Sequence, residues 1–203
     1  MKLYNEANPA PNPRRVRIFL SEKSISIPLV HVPMREGAHK SAEFKAKNSL
    51  GQVPVLELDD GSTLSESIAI CRYLEELHPA PALFGSDPWQ RATIEMWTRR
   101  IELALANRIG AVWINTHEYT ARLGTQYREY GEAMRVRALE VMRWLDGEIA
   151  GREFICANQY SMADIVALTT IDFGQFIGIE MPEDLAHLRA WHTGVSARPS
   201  AAA

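Results

Sequence analysis

The stretch GQVPVLELDDGSTLSESI, residues 51–68, decides the fold of the first part of the chain. Residues 53–58 are mostly apolar and predict a strand. Residues 59–62, Asp-Asp-Gly-Ser, are typical of a tight hairpin that returns the chain through a further strand at residues 63–64. Apolar residues then recur at helical spacing over residues 68–77. The stretch therefore predicts a strand, a hairpin, a second strand and a helix in succession.

Upstream of this stretch the sequence predicts two strands and two helices. Residues 2–4 are a short strand candidate and residues 27–32 a second one. Between them a helix is predicted to start with Asn12 as its N-cap and Pro13 in its first turn. Residues 42–47 predict a weak helix. The order βαβαββα describes an α/β sandwich whose first two strands run parallel and whose last two run antiparallel.

Prolines near residue 80 mark a change of architecture, since no convincing strand follows them. Helices are predicted beyond this point over residues 88–116 and 128–149, after a Ser161–Asp164 capping box, and from Met181. We therefore predict an α/β domain at residues 1–80, a linker at 81–87 and an all-helical domain at 88–203.

The composition excludes several classes of function. A formal net charge of -3 gives no reason to expect nucleic acid. Cys71 and Cys156 follow no metal-ligand spacing, so we expect neither a metal site nor a disulfide. The absence of a disulfide framework fits a reducing compartment best. No apolar run approaches the length of a bilayer span, and the N-terminus lacks the apolar core of a signal peptide. We expect a cytoplasmic protein without a membrane partner.

Four motifs, in this order and spacing, resemble the cytosolic glutathione transferase family. They are APNPRRV at residues 10–16, GQVPVL at 51–56, LSESIAI at 64–70 and SMADI at 161–165. Each motif is weak alone, but together they span essentially the whole chain. The resemblance implies a thioredoxin-like, glutathione-binding first domain, an all-helical second domain and a homodimer.

The resemblance also implies where glutathione would bind. In the family the peptide bond before Pro54 is cis, and this would leave the backbone of Val53 free to pair with the cysteinyl residue of the tripeptide. Glu66 would accept a hydrogen bond from the γ-glutamyl ammonium, and Ser67 with the start of its helix would bind the γ-glutamyl carboxylate. A proline that only shapes a turn and a serine that only caps a helix are the alternative interpretations.

Two further residues are candidates for the glycyl carboxylate of glutathione. The resemblance places a basic or polar side chain at His39, and Gln52 lies next to Val53. A histidine in a loop is more often simply solvated, so both interpretations of His39 stay open.

Catalysis would require the glutathione thiol to ionise near neutral pH. Many family members place a tyrosine, serine or cysteine at the first turn for this purpose, but the position that matches the serine is Ala10, which has no donor. Asn12, Tyr4 or the N-terminus of the first helix could replace the missing hydroxyl. We predict that Asn12, aided by the helix dipole, stabilises the thiolate, with helix capping as its alternative role.

The predicted function is attack by the glutathione thiolate on a small hydrophobic electrophile, without a metal or organic cofactor. A pocket for the electrophile is expected between the first-turn loop and the long helix, lined by Leu103, Asn107, Ala111, Ile114 and His117. We assign Ser161 and Asp164 to helix capping. The alternatives are a glutathione-dependent peroxidase or disulfide reductase, and a non-catalytic glutathione-binding or interaction module, which Ala10 favours.

Overall fold

The computed structural model describes residues 1–7, 9–156 and 159–203, and these fall into two compact units. The first unit comprises Met1–Leu83 together with Pro199–Ala203, and the second comprises Phe84–Arg198. The C-terminal residues thus group with the first unit, where the sequence had placed them in the helical domain. They do so because they pack on the first helix: Arg14 donates a hydrogen bond of 2.8 Å to the carbonyl oxygen of Ala201.

The first unit is built on a four-stranded sheet in the order β2-β1-β3-β4. Its strands are β1 (Lys2–Asn5), β2 (Leu29–His31), β3 (Val55–Glu57) and β4 (Thr63–Ser65). The β1–β2 pair is parallel and the other two pairs are antiparallel. The predicted thioredoxin-like βαβαββα order is therefore confirmed, with β2 and β3 shorter than the sequence indicated.

Helices α1 (Pro11–Glu22), α2 (Ala42–Lys47) and α3 (Ser67–Leu77) complete this unit, with 3-10 turns at Met34–Glu36 and Ala38–Lys40. Apolar side chains of α1 and α3 bury completely against the sheet, among them Phe19, Ile70 and Leu74. Each such side chain contributes about 1.5–3 kcal/mol relative to an exposed position. Cys71 belongs to this core, and its burial raises the pKa of its thiol far above the ordinary value.

One end of the sheet gathers the segments that a site would need. The chain leaves β1 after Asn5 and leaves β2 after His31, at the same end because these strands are parallel. It enters β3 at Val55 and leaves β4 after Ser65, also at that end, because β3 runs antiparallel to both neighbours. The start of α1, the loop after β2, the segment before β3 and the start of α3 therefore meet there.

Glu57 organises a charged cluster on the sheet. Its carboxylate lies 2.9 Å from the ammonium groups of both Lys47 and Lys2, and the hydroxyl of Tyr4 donates to it at 2.8 Å. These partners, Lys47 foremost, lower the pKa of Glu57 to about 2. Because the pKa is lower in the folded state, the carboxylate stabilises the fold above its ordinary pKa of 4.5, and this stabilisation is lost as the pH falls towards about 2.

Glu57→Gln is therefore expected to be less stable than the parent protein at neutral pH, with the difference closing as the pH falls through this window. Urea unfolding at a series of pH values measures the effect. Glu180→Gln is the matched control, since Glu180 is exposed and the described residues give it no partner. A difference for Glu57→Gln that stays constant down to acid pH contradicts the assignment.

All the regular elements that the structure describes in the second unit are helical. They are α4 (Pro88–Arg100), a π-helical turn (Ile101–Ala106), α5 (Asn107–Thr116), α6 (Glu118–Ala121), α7 (Arg128–Glu148), α8 (Met162–Phe176) and α9 (Ala186–Ser196). The predicted long helix runs through the π-helical turn. The last helix begins at Ala186, so the prediction of a start at Met181 was wrong: the amide of Leu185 bonds to the carbonyl of Pro182 in a separate turn.

Asp164 joins three segments of the second unit. Ser161 and Asp164 form the capping box of α8 that the sequence indicated. One carboxylate oxygen accepts from the amide of Ile155 at 2.8 Å and from the indole of Trp191 at 2.9 Å. The other accepts from the amide and the hydroxyl of Ser161 at 2.9 and 3.0 Å. This residue, which is completely buried, therefore holds the start of α8, the segment before it and α9 together.

Candidate active site

The start of α1 corrects one detail of the sequence analysis. Ala10 is the N-cap residue and Pro11, Asn12 and Pro13 are the first helical residues, so the prediction of Asn12 as N-cap was wrong. Proline fits the first turn of a helix because it has no N–H to satisfy. The amide of Arg14 closes the turn on the carbonyl of Ala10 at 3.3 Å. Asn12 therefore carries the one backbone N–H of the first three helical positions.

Asn12 and Ala10 present different groups at this helix start. Ala10 is half-buried and offers a methyl group, whereas Asn12 is exposed. The Asn12 side chain has no hydrogen-bond partner among the residues that the structure describes. The N-terminus of a helix carries about half a positive charge, so a side-chain NH₂ placed there adds donors where an anion is already favoured.

Tyr4 takes a different role from thiol activation. Its hydroxyl donates to Glu57 at 2.8 Å, and its ring packs edge-on against Phe44 at 5.9 Å. Lys47 and Lys2 lie over the same ring at 5.2 and 5.6 Å. The hydroxyl is engaged in the charged cluster on the sheet, which removes Tyr4 from the three candidates.

The segment before β3 contains a short length of unpaired backbone. The Val53–Pro54 peptide bond is cis. The side chain of Val53 is buried against Val32, Phe44 and Val55, whereas its N–H and C=O make no backbone hydrogen bond with any residue that the structure describes. A fixed residue with a free donor and acceptor at a sheet end can pair with one residue of an extended peptide.

A second corner of the site lies beside Gly51. Gly51 has a φ of +59°, and a Cβ built on it would lie 2.6 Å from the carbonyl oxygen of His39, so the chain at 39–40 packs directly on it. The ammonium of Lys40 donates to the carbonyls of Leu50 and Gly51 at 3.1 and 2.9 Å. His39 and Lys40 therefore lie beside the segment that carries Gln52, which is exposed.

His39 differs from the loop histidine that the sequence suggested. It is buried, and within the described chain its Nδ1 has no hydrogen-bond partner. Burial, and to a lesser extent the charge of Lys40, lowers the pKa of its ring. His39 is thus neutral near pH 7 and can only hydrogen-bond to a carboxylate, whereas Lys40 supplies the positive charge of this corner.

At the start of α3, Glu66 has an exposed side chain and a strained backbone conformation. Glu66 is the N-cap residue with φ +68° and ψ 117°, and Ser67 is the first helical residue and is buried. A left-handed φ in a residue other than glycine costs about 1–3 kcal/mol, and such strain concentrates at functional sites. Since Ser65 pairs with Val55, Glu66 follows at the same end of the sheet as Val53.

The residues predicted for the second substrate all belong to the second unit. Leu103 and Ile114 are strongly exposed, Asn107 is exposed, and Ala111 is half-buried. Leu103 lies in the π-helical turn, where the guanidinium of Arg108 donates to the carbonyls of Leu103 and Ala104. Single π-helical turns occur often at functional sites.

His117 directly follows α5 and belongs to an aromatic cluster. Its Nδ1 accepts from the amide of Tyr119 at 3.1 Å and so caps α6. Its ring contacts Trp113 with 4.1 Å between the ring centres. Trp113 also packs on Phe173 at 5.4 Å, so the cluster extends to α8.

Comparison with known proteins identifies the class of protein that the fold and site define. The model of the glutathione S-transferase N-terminal domain matches residues 10–77, and that of the C-terminal domain matches residues 112–199. The chain belongs to the glutathione S-transferase family.

Individual relatives agree with this assignment. The chain is 36% identical over 197 residues to Glutathione S-transferase 2 of Saccharomyces cerevisiae, with 94% of this chain and 83% of that protein covered. It is 30% identical over 188 residues to human Glutathione S-transferase theta-2, with 91% and 76% covered. The crystal structure of a glutathione S-transferase domain-containing protein from Marinobacter aquaeolei VT8 superposes with a TM-score of 0.94 at 36% identity, covering 98% of this chain and 99% of that one. Gtt2 from Saccharomyces cerevisiae superposes with a TM-score of 0.92 at 35% identity, covering 98% of both chains.

Proposed function

We propose that this protein binds glutathione at the sheet end described above and attacks small hydrophobic electrophiles with the glutathione thiolate. The observation that supports this most directly is the unpaired backbone of Val53, flanked by two helix starts at the same end of the sheet. The names of the relatives support glutathione as the substrate.

Three groups of residues would hold the tripeptide. Val53 pairs with the backbone of the cysteinyl residue. The start of α3 with Ser67 binds the γ-glutamyl carboxylate, and Glu66 binds the ammonium. At the other end Lys40 attracts the glycyl carboxylate, with Gln52 and neutral His39 as hydrogen-bonding groups.

The thiolate would be stabilised at the start of α1 by the N–H and the side-chain amide of Asn12, together with the helix dipole. Ala10 leaves room beside the sulfur and contributes no donor. The thiolate itself is the nucleophile, so this reaction requires no metal or organic cofactor. Among the described residues no group of three His, Cys, Asp or Glu side chains is placed to hold a metal ion.

The exposed face that carries Leu103, Asn107, Ala111 and Ile114 is the candidate surface for the electrophile, with His117 at its end. Apolar side chains there would desolvate a hydrophobic substrate. We further propose a cytoplasmic homodimer whose role is the detoxification of such compounds. No helix of the described chain has both the length and the hydropathy needed to cross a bilayer.

Two alternatives make the same use of the tripeptide site. The same thiolate could reduce a peroxide or a mixed disulfide, or the site could bind glutathione without catalysing a reaction, which the lack of a hydroxyl at Ala10 favours. Calorimetric titration with glutathione, followed by assays with a nitro-activated aryl halide and with a hydroperoxide, separates these functions. Binding with turnover of the aryl halide supports the proposal, binding without any turnover supports the non-catalytic module, and the absence of binding overturns all three.

Glu66→Gln tests the γ-glutamyl end of the site. Loss of a charge-assisted hydrogen bond is expected to weaken glutathione binding by about 10–100-fold. The control is a glutathione analogue that lacks the γ-glutamyl amino group, which the variant and the parent should bind equally. If Glu66→Gln weakens both ligands alike, Glu66 acts on the helix start and not on the ammonium.

A further inference from the structure

Glu6 follows β1 directly, and its carboxylate joins two loops at the site end of the sheet. One oxygen accepts from the amide of Ala7 at 2.8 Å and the other from the amide of Met34 at 2.9 Å. Ala7 lies between β1 and α1, whereas Met34 lies 28 residues beyond Glu6, between β2 and α2. The Glu6 side chain is only 19% exposed. The glutathione proposal gives Glu6 no role, although its carboxylate ties together two segments of that site.

The sequence explains why a side chain makes this connection. The parallel pairing of β1 with β2 ends where the amide of Val32 donates to the carbonyl of Asn5 at 2.8 Å. Pro33 follows and has no N–H, so the backbone ladder cannot continue through it. Met34 begins a 3-10 turn, whose first amides have no partner inside the turn. A carboxylate accepts from such an amide more strongly than a neutral oxygen does.

The start of α1 depends on the loop that Glu6 holds. The N-cap residue Ala10 has no side-chain acceptor for the first amides of the helix. Its own amide donates to the carbonyl of Ala7 at 3.2 Å, and its carbonyl accepts from the amide of Arg14 at 3.3 Å. Hydrogen bonds therefore run from the Glu6 carboxylate through Ala7 and Ala10 into the first turn of α1, which carries Asn12.

The backbone of Glu6 is also fixed to α1 itself. The guanidinium of Arg17 donates to the carbonyl of Glu6 at 2.8 Å and to the side chain of Asn5 at 2.6 Å. The ring of His31, which is exposed, lies 3.5 Å from the Glu6 carboxylate, and an exposed pair of this kind contributes little. Among the described residues, the two amide hydrogen bonds are therefore the main contacts of the carboxylate.

The loop between β2 and α2 has contacts of its own that do not involve Glu6. Met34 packs against the apolar cluster that contains Val53. Further along this loop, Lys40 donates to two backbone carbonyls of the segment before β3. This loop therefore gives the carboxylate a fixed anchor, and the loop before α1 is the partner that depends on the carboxylate.

We infer that Glu6 is a positioning residue for the thiolate site: its carboxylate sets the loop before α1 so that Ala10 and Asn12 face the glutathione sulfur in a fixed arrangement. This inference rests on the proposed function and adds a residue that does not itself touch the tripeptide. A displacement of about 1 Å at a reacting centre can lower a rate by about 100-fold, so a residue that fixes a loop can govern turnover.

Glu6→Gln tests this inference, because glutamine keeps the size of the side chain but has one acceptor oxygen for two amides. The kcat with a nitro-activated aryl halide is expected to fall about tenfold. The affinity for S-methylglutathione is expected to stay close to that of the parent, since Val53, Glu66 and Lys40 are unchanged. The pKa of the bound thiol is expected to rise. Removal of a negative charge alone would lower this pKa, so a rise reports a displaced helix start.

Glu36→Gln is the matched control. Glu36 lies in the loop between β2 and α2, its side chain is exposed, and the described residues give that side chain no partner. The control removes the same charge without removing the connection between the loops. It is expected to leave kcat, the affinity for S-methylglutathione and the pKa of the bound thiol unchanged.

Hydrogen exchange in the free protein separates this inference from the proposed function. The amides of Ala7 and Met34 are expected to exchange faster in Glu6→Gln, and urea unfolding establishes that the variant is folded. Three outcomes overturn the inference alone: a thiol pKa that falls or stays unchanged, equal kcat values for Glu6→Gln and Glu36→Gln, and unchanged exchange at both amides. A parent protein that does not bind glutathione overturns the proposed function and, with it, the catalytic role of this contact, whereas the exchange rates still decide whether Glu6 holds the two loops together.

Discussion

Asp164→Ala is expected to leave most of the protein unfolded at physiological temperature. The substitution strands four donors that now converge on a completely buried carboxylate, from Ile155, Trp191 and both groups of Ser161. Each buried donor without a partner costs about 1–3 kcal/mol, so stranding all four costs about 4–12 kcal/mol. A typical domain is stable by about 5–15 kcal/mol, so this loss removes most of its margin.

A graded series keeps this expectation testable if Asp164→Ala cannot be purified. Trp191→Phe removes one donor and keeps most of the ring, so a loss of about 1–2 kcal/mol is expected in urea unfolding. Asp184→Ala is the control, since Asp184 is exposed. Asp164→Ala with stability close to that of Asp184→Ala contradicts the role assigned to the carboxylate.

Asn12→Pro is expected to slow conjugation by about 100-fold or more, and Asn12→Ala by about 10–100-fold. Alanine removes the side-chain amide and keeps the backbone N–H, whereas proline removes both. Proline is tolerated in the first turn of a helix, and Pro11 and Pro13 already occupy positions on either side. The two variants therefore separate the contribution of the side-chain donor from that of the backbone donor, and both keep residues compatible with the first turn of the helix.

The ligand control for these variants is S-methylglutathione, which has no thiol to ionise. Both variants are expected to bind it with the affinity of the parent protein, since Val53 and Glu66 still hold the tripeptide. A loss of kcat with little change in the binding of S-methylglutathione assigns Asn12 to the thiolate. If the affinities for glutathione and S-methylglutathione fall equally, Asn12 acts through general packing at the helix start.

Local signals in the sequence predicted most of the fold. The Asp-Gly hairpin at residues 59–62 and the capping box at Ser161 and Asp164 each depend on groups only a few residues apart, so the sequence shows them directly. The start of α1 was misplaced because Asn12 is the better capping residue, whereas Pro11 is compatible with the first helical position and leaves Ala10 as the N-cap.

Properties that depend on tertiary packing could not be predicted. His39 is buried in a loop whose backbone packs on Gly51, further along the sequence, and Glu66 takes its left-handed conformation at the junction of β4 with α3. The engagement of Tyr4 by Glu57 likewise requires strands 53 residues apart in sequence to pair. These three features decide the charge state, the geometry and the choice of donor in the candidate site.

The central claim is that the start of α1 holds glutathione as a thiolate, and the pKa of the bound thiol tests it most directly. Ultraviolet absorbance of the thiolate in the protein–glutathione complex, titrated against pH, gives this value. The account predicts a pKa well below that of about 8.5 for a free thiol, with Asn12→Ala raising it and Asn12→Pro raising it further. Glutathione that binds with an unshifted thiol pKa, in the parent protein and both variants alike, would contradict the account.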